Sequence, residues 1–179
     1  IILFFGMIKK VKGLDILLES FKQVIDKDPE IVLLIAGKPW ENNFSIYQKI
    51  IDKNNLSSNV VLHTRFIDHD DVEHYYCASD LVVLPYKKIY QSGVLMMALS
   101  YEKATLVSDL PALKEVLTDN KNGFFFKSED INHLAERIDF ILSNTENLER
   151  VQQNGRALLN TKFAWDEIGK LTVKAYQKL

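Results

Sequence analysis

Two loops combine glycine with lysine, a residue type that binds phosphate as a point charge. Residues 6–13 hold Lys9, Lys10 and Lys12 between two glycines, so an ammonium group could meet an anion there. The alternative is a basic loop that contacts only solvent. Gly37 and Lys38 open the second loop, for which a plain turn is the alternative.

A third loop, residues 85–93, ends in Gln91, Ser92 and Gly93 directly before an apolar helix that is predicted to begin at Val94. The N-terminus of a helix carries roughly half a positive charge and several unpaired amide donors, which suit a phosphate group. A Ser-Gly cap with a purely structural purpose is the alternative.

Other chemistries lack their sequence signatures. The chain contains neither a Walker loop nor a Gly-x-Gly-x-x-Gly dinucleotide loop nor a Gly-x-Ser-x-Gly elbow. Its four histidines are not spaced as metal ligands, and Asp70, Asp71 and Glu73 are expected to form a solvated helix start. Cys77 is expected to lie in the core rather than to act as a nucleophile. We therefore expect no metal and no redox cofactor.

Composition narrows the class of protein. With 179 residues, 47% hydrophobic and 26% charged, the chain fits one globular domain over residues 1–179. A net charge of −2 argues against nucleic acid as a partner. One cysteine cannot form an internal disulfide, which favours a reducing, intracellular compartment. The longest apolar runs fall short of the roughly 20 residues that span a bilayer.

The first five residues already form an apolar run with no methionine before them. A buried strand at a natural N-terminus is one interpretation. A fragment cut at a domain boundary is the simpler one, and it is the one we expect.

The elements that must position these loops alternate regularly. Apolar, β-branched runs predict six buried strands, at residues 2–5, 31–36, 60–63, 81–84, 105–107 and 123–126. Helical periodicity predicts helices between them and three more at the end, over residues 131–143, 148–161 and 165–179. This order predicts a Rossmann-like α/β fold, a doubly wound parallel six-stranded sheet with extra C-terminal helices. The C-terminal helices are expected to cover one face or to reach toward a partner domain.

Taken in order, these segments resemble the C-terminal domain of family 4 glycosyltransferases, which are retaining enzymes of the GT-B architecture. The resemblance covers nearly the entire chain and rests on LFFGMIKKVKGLDILLESF (3–21), LLIAG (33–37), ASDLVVLP (78–85), residues 98–109, NGFF (122–125) and FAW (163–165). It implies transfer of a sugar from a nucleoside diphosphate, with retention of anomeric configuration, to a glycan or glycolipid acceptor.

The resemblance also implies roles for individual residues. Lys12 matches the family's phosphate lysine and is the implied catalytic residue, and Gly93 and Val94 would offer helix-start amides to the donor. Phe66 and Ile67 match the loop that contacts the nucleotide base. Gly37 and Lys38 would lie at the neighbouring edge of the cleft. No cofactor beyond the nucleotide-sugar donor is implied. An acceptor-binding N-terminal domain, absent from this chain, would complete a cytoplasmic enzyme peripheral at the inner membrane face.

The sequence departs from the family pattern at three positions. Met7 stands where the family has arginine, and Ile89 and Met97 stand where it has a Glu-x7-Glu pair. Gln91 and Ser92 resemble a variant within the family, so donor binding would be rebuilt on them. Three interpretations stay open: an active retaining glycosyltransferase, a degenerate subunit that binds or scaffolds, and an unrelated α/β binding module.

If the loops follow parallel strands, Lys12, Lys38, Phe66 and Gly93 must share one edge of the sheet.

Overall fold

The computed structural model describes residues 1–177, apart from the side chain of Asn42. Six strands form one sheet in the order β3-β2-β1-β4-β5-β6, and every pairing between neighbours is parallel. The strands are β1 (Ile2–Phe5), β2 (Leu33–Ala36), β3 (Val60–His63), β4 (Leu81–Leu84), β5 (Ala104–Ser108) and β6 (Phe124–Phe126). The predicted doubly wound sheet is confirmed.

Helices lie on both faces of the sheet. They are α1 (Leu14–Lys27), α2 (Ser45–Lys53), α3 (Val72–Cys77), α4 (Gly93–Ser100), α5 (Pro111–Lys114), α6 (Ile131–Leu142), α7 (Thr145–Asn160) and α8 (Trp165–Tyr176). Short 3-10 turns occupy Lys10–Lys12, Trp40–Asn42 and His69–Asp71. The predicted last helix thus ends at Tyr176, and residues 178–179 lie outside the described part of the chain.

Successive side chains of each strand point to opposite faces of the sheet, and this divides the core into two layers. In β1, Ile2 and Phe4 pack with α1, α2 and α6, whereas Leu3 and Phe5 pack with α3, α4 and α5. All four side chains are at most 7% exposed, which is the burial expected of a central parallel strand with helices on both faces. Helices therefore leave the sheet toward one face after β1 and β2, and toward the other face after β3 and β4.

Three local predictions need correction. The strand at residues 60–63 was predicted to be buried, but β3 lies at the edge of the sheet and Val61 is 42% exposed. The second strand begins at Leu33 rather than at residue 31, because the segment before it turns, with the Ile31 amide donating to the Asp28 carbonyl. Cys77 is exposed instead of buried. Helix α3 buries Val72, Tyr75 and Tyr76, the positions spaced to face the sheet, and Cys77 falls outside that stripe.

Candidate functional site at the carboxyl edge of the sheet

The loops after β1, β2 and β4 touch one another through backbone atoms at glycines. Gly13 has a φ of 69°, and a Cβ atom there would lie 1.8 Å from the Pro85 carbonyl oxygen. A Cβ atom on Gly37 would lie 2.1 Å from the Gly6 carbonyl oxygen. Only glycine allows such close approach. The two lysine-bearing loops and the loop before α4 therefore form one continuous rim.

Lys12 lies at the centre of this rim. Its ammonium nitrogen is 5.3 Å from the centroid of the Tyr86 ring. A Cβ atom built on Gly6 would contact both this nitrogen, at 3.3 Å, and Val94 Cγ2, at 3.2 Å, so the ammonium group lies beside the first turn of α4. Burial lowers the pKa of Lys12, and the charge of Lys9 lowers it further. Among residues 1–177, no carboxylate forms an ion pair with Lys12.

The nearby carboxylate, Asp15, is held by a different lysine. Lys87 Nζ donates to Asp15 Oδ2 at 2.6 Å, and both side chains are largely shielded from solvent. The Lys87 amide also donates to the Val11 carbonyl at 2.9 Å, which ties this loop to the Lys12 loop. Asp15 is thus paired with Lys87, and this pair joins α1 to the loop before α4.

Tyr86 was missed by sequence reasoning and connects the two halves of the rim. Its ring is 1% exposed, and its hydroxyl lies 3.2 Å from Ser92 Oγ. Burial raises the pKa of Tyr86 to about 12. Its position two residues after β4 was the available signal, but the contacts of the ring depend on loops far apart in sequence.

The first turn of α4 has an N-cap side chain and is accessible to solvent. Ser92 Oγ accepts the Leu95 amide at 3.1 Å, which makes Ser92 the N-cap. Gly93 is exposed, and a Cβ atom there would meet no atom within 4 Å. Gln91 is exposed beside it, and Val94 is half-buried. The amides of this first turn can therefore be reached by an anion.

The remaining predicted residues lie along the same edge of the sheet, in the loops after β2 and β3. Lys38 is exposed, whereas Gly37 is buried beneath Gly6. Phe66 is 70% exposed, but Ile67 is 8% exposed and packs in the core. Three strand spacings, roughly 14 Å, separate β3 from β4. The predicted shared edge is present, and the roles of these residues stay predictions.

Comparison with known proteins identifies the family. The model of the family "Glycosyl transferases group 1" matches residues 1–158. The chain belongs to the group 1 glycosyltransferases. An unrelated α/β binding module, one of the three open interpretations, is therefore excluded.

Relatives and solved structures agree with this family. The chain is 26% identical over 188 residues to spore coat protein SA of Bacillus subtilis, covering 99% of this chain and 48% of that protein. It is 26% identical over 175 residues to a GDP-mannose:glycolipid 4-beta-D-mannosyltransferase of Xanthomonas campestris, covering 98% and 48%. The crystal structure of Anabaena HepE in complex with UDP superposes with a TM-score of 0.86 at 17% identity, covering 99% and 49%. The chain thus spans about half the length of the relatives it matches.

In this group 1 glycosyltransferase domain, apolar side chains stand at the two positions that align with the Glu-x7-Glu pair of the resembled family. Ile89 and Met97 are both half-buried and pack against the core layer of α3, α4 and α5. Neither can accept a hydrogen bond from a sugar hydroxyl. Gln91 and Ser92 are polar residues that border the start of α4, and Tyr90, Glu115 and Lys162 line the same pocket.

Two kinds of feature are absent from the described residues. No group of three or more His, Cys, Asp or Glu side chains within 1–177 is placed to hold a metal ion. In the same range, no helix combines the length and apolar character needed to cross a bilayer.

Proposed function

We propose that the chain is the donor-binding half of a retaining glycosyltransferase, which transfers a hexose from a nucleoside-diphosphate sugar to a glycan or lipid-linked acceptor. The observation that carries the proposal is the Lys12 ammonium group. It is partly desolvated and has no carboxylate partner within residues 1–177, yet it lies beside the open first turn of α4. A buried charge without a partner is costly unless an anion offsets it.

The chemistry requires stabilisation of charge on the leaving diphosphate. As the bond between the sugar and the phosphate breaks, negative charge grows on the phosphate oxygens. Donors that are fixed before the reaction, such as the Lys12 ammonium group and the Gly93 and Val94 amides, stabilise that charge without reorganising. Because the charge is larger in the transition state than in the bound donor, these contacts favour turnover as well as binding.

The donor would extend from this phosphate site toward β3. In this arrangement the diphosphate lies at Lys12 and Gly93, and the nucleoside extends toward the loop of Phe66 and Ile67. Phe66, which is exposed, offers a ring for stacking, while the buried Ile67 side chain leaves its backbone as the contact. Gln91 and Ser92 would bond to the sugar hydroxyls.

Transfer would require more than this chain. We propose that the isolated chain binds nucleoside diphosphate weakly and turns over nothing, because an acceptor-binding domain must close the other side of the cleft. The full-length protein would act in the cytoplasm, at the inner face of the membrane where lipid-linked acceptors are found. The Xanthomonas relative, named for a glycolipid acceptor, supports this class of acceptor.

The deciding experiment is a calorimetric titration of the chain with UDP, GDP and ADP, followed by transfer assays of the full-length protein with the corresponding sugars. We expect one nucleotide to bind and its sugar to be transferred, with the product anomer, read by NMR, matching the donor. Binding without transfer would favour the degenerate subunit. No binding of any nucleotide would overturn the proposal, and an inverted product anomer would overturn retention alone.

A further inference from the structure

A pocket lies between the first turn of α4 and α5. Its volume is about 530 Å³, within the range of roughly 300–1,000 Å³ that is usual for small-molecule sites. We call it the Glu115 pocket, and its lining residues come from the loop before α4, from α5 and the residues after it, and from the turn between α7 and α8; they include Gln91, Ser92, Gly93, Leu113, Glu115 and Lys162. Because Gly93 belongs to both, the Glu115 pocket is continuous with the proposed phosphate site.

The Glu115 pocket combines apolar and polar side chains. Leu95 and Leu113 line it, are at most 2% exposed and belong to the same core layer, so α4 and α5 lie on one face of the sheet. Gln91 and Glu115 are exposed at its border. Such a pocket can pack the C–H groups of a sugar ring and bond to its hydroxyl groups.

The Glu115 carboxylate has no ion-pair partner within residues 1–177, although two lysines are near it. Lys114 Nζ pairs with Asp109 Oδ2 at 3.2 Å, and Lys162 Nζ donates to the Glu115 backbone carbonyl at 2.7 Å. The Glu115 amide donates to the Pro111 carbonyl at 3.1 Å. The backbone of Glu115 is therefore held at both polar groups, while its side chain is left to bind a ligand.

The strand order places the Glu115 pocket at the sugar end of the donor. In the arrangement proposed above, the nucleoside lies toward β3 and the diphosphate lies at Lys12 and Gly93, which follow β1 and β4. The order β3-β2-β1-β4-β5-β6 continues from β4 to β5, roughly 5 Å farther along the edge. A donor extended along this edge therefore brings its sugar to the loops after β4 and β5, where the pocket lies.

A second cavity also reaches Gly93, on the side of α3 and α8. Its lining is mainly apolar and includes Met97, Trp165 and Ile168, and none of the described residues that line it carries a carboxylate. A sugar loses hydrogen bonds to water when it is buried, so its hydroxyl groups need polar partners in the site. The Glu115 pocket offers more of them.

We propose that the Glu115 pocket binds the hexose of the donor and that the Glu115 carboxylate bonds to its hydroxyl groups, an inference that rests on the proposed function. A carboxylate has two oxygens, so Glu115 can accept hydrogen bonds from two neighbouring hydroxyls. The C–H face of the pyranose packs on Leu95 and Leu113. The position of Glu115 thus selects sugars by the placement of their hydroxyl groups.

Calorimetric titration of the chain tests the Glu115 contact, with UDP, GDP, UDP-glucose, UDP-N-acetylglucosamine and GDP-mannose as probes. We expect Glu115→Gln to weaken binding of at least one nucleotide sugar roughly threefold to tenfold and to leave binding of the matching nucleoside diphosphate unchanged. Glu149→Gln is the matched control and should change neither affinity, because Glu149 is exposed near the start of α7 and does not line the pocket. Equal effects of Glu115→Gln on nucleotide and nucleotide sugar, or no effect on either, would overturn the proposal.

Methyl NMR of the parent chain locates the sugar without any substitution. Val116 lines the Glu115 pocket, whereas Met97 lines the apolar cavity on the other side of α4. We expect the Val116 methyl signals to shift saturably with a nucleotide sugar but not with its nucleoside diphosphate, and the Met97 signal to respond alike to both. Sugar-dependent shifts at Met97 without any at Val116 would place the sugar in the other cavity and overturn the proposal.

The two experiments separate the Glu115 pocket from the proposed function. If UDP or GDP binds but neither Glu115→Gln nor the Val116 signals show an effect of the sugar, the sugar subsite is wrong and the donor site stands. If no nucleotide and no nucleotide sugar binds, the donor site fails and the sugar subsite fails with it.

Discussion

The Lys12 ammonium group lies 5.3 Å from the ring centroid of Tyr86, whose hydroxyl is 3.2 Å from the oxygen that caps α4. One buried side chain therefore contacts both parts of the proposed phosphate site. Removing the Tyr86 hydroxyl should affect the start of α4, and removing the ring should affect Lys12.

Lys12→Met should weaken binding of nucleoside diphosphate by roughly tenfold to a hundredfold, because hydrogen bonds to charged groups contribute about 1.5–3 kcal/mol. Lys10→Met is the matched control, since Lys10 is exposed in the same loop. Isothermal titration calorimetry of both variants measures the difference. Equal, small losses would mean that the loop is only a basic surface.

The same Lys12→Met variant should be more stable than the parent chain without ligand. The pKa of Lys12 is lower in the folded state, so folding at neutral pH disfavours its protonated form, and that cost decreases as pH rises from the folded pKa toward the ordinary value of 10.5. Methionine removes the cost, and the melting temperature should rise by roughly 1–4 °C. A melting temperature below that of Lys10→Met would argue against a desolvated ammonium group.

Binding should depend on pH through Lys12. An anion binds the protonated lysine, so affinity for UDP or GDP should fall as pH rises, beginning below the ordinary lysine value of 10.5. Binding in this range should take up protons, which calorimetry in buffers of different ionisation enthalpy detects. Lys12→Arg keeps its charge at these pH values and should bind with a flat profile. A falling profile in the arginine variant would assign the titration to another group.

Much of the fold could be predicted because the central strands are short apolar runs buried on both faces, as in Ile2–Phe5, whereas the edge strand β3 is only half-buried. The shared edge of the lysine-bearing and glycine-bearing loops could also be predicted, because the strands are parallel. The contacts between side chains did not, because Tyr86 meets Lys12, and Trp40 meets Lys9, only after loops distant in sequence come together. Whether Phe66 or Ile67 faces solvent also depends on how the loop enters α3.

Tyr86→Phe removes a hydroxyl but keeps the ring near Lys12. We expect a stability loss of about 0.5–1.5 kcal/mol from the lost hydrogen bond to Ser92, with little change in nucleotide affinity. Tyr86→Leu also removes the ring, and affinity should fall further by about 0.5–1 kcal/mol. Urea denaturation and calorimetry measure the two effects. Identical affinities for the Phe and Leu variants would show that the ring does not assist Lys12.

Gly13→Ala should disrupt the rim. The new Cβ atom would clash with the Pro85 carbonyl, and the φ of 69° is unfavourable for alanine, so a loss of more than about 2 kcal/mol is expected. Gly169→Ala is the control, because its Cβ atom meets nothing within 4 Å inside α8, where alanine is the better helix former. Urea denaturation of both variants tests the close approach of the two loops, and equal stabilities would contradict it.

The central claim is that the Lys12 loop and the start of α4 together bind a nucleoside diphosphate. Backbone amide NMR of the ¹⁵N-labelled chain, titrated with UDP and with GDP, tests it directly. We predict that one nucleotide produces its largest saturable shifts at the Gly93 and Val94 amides, and that these shifts are strongly reduced in Lys12→Met but retained in Lys10→Met. Saturable shifts confined to other loops, or Gly93 and Val94 shifts that persist unchanged in Lys12→Met, would contradict the account.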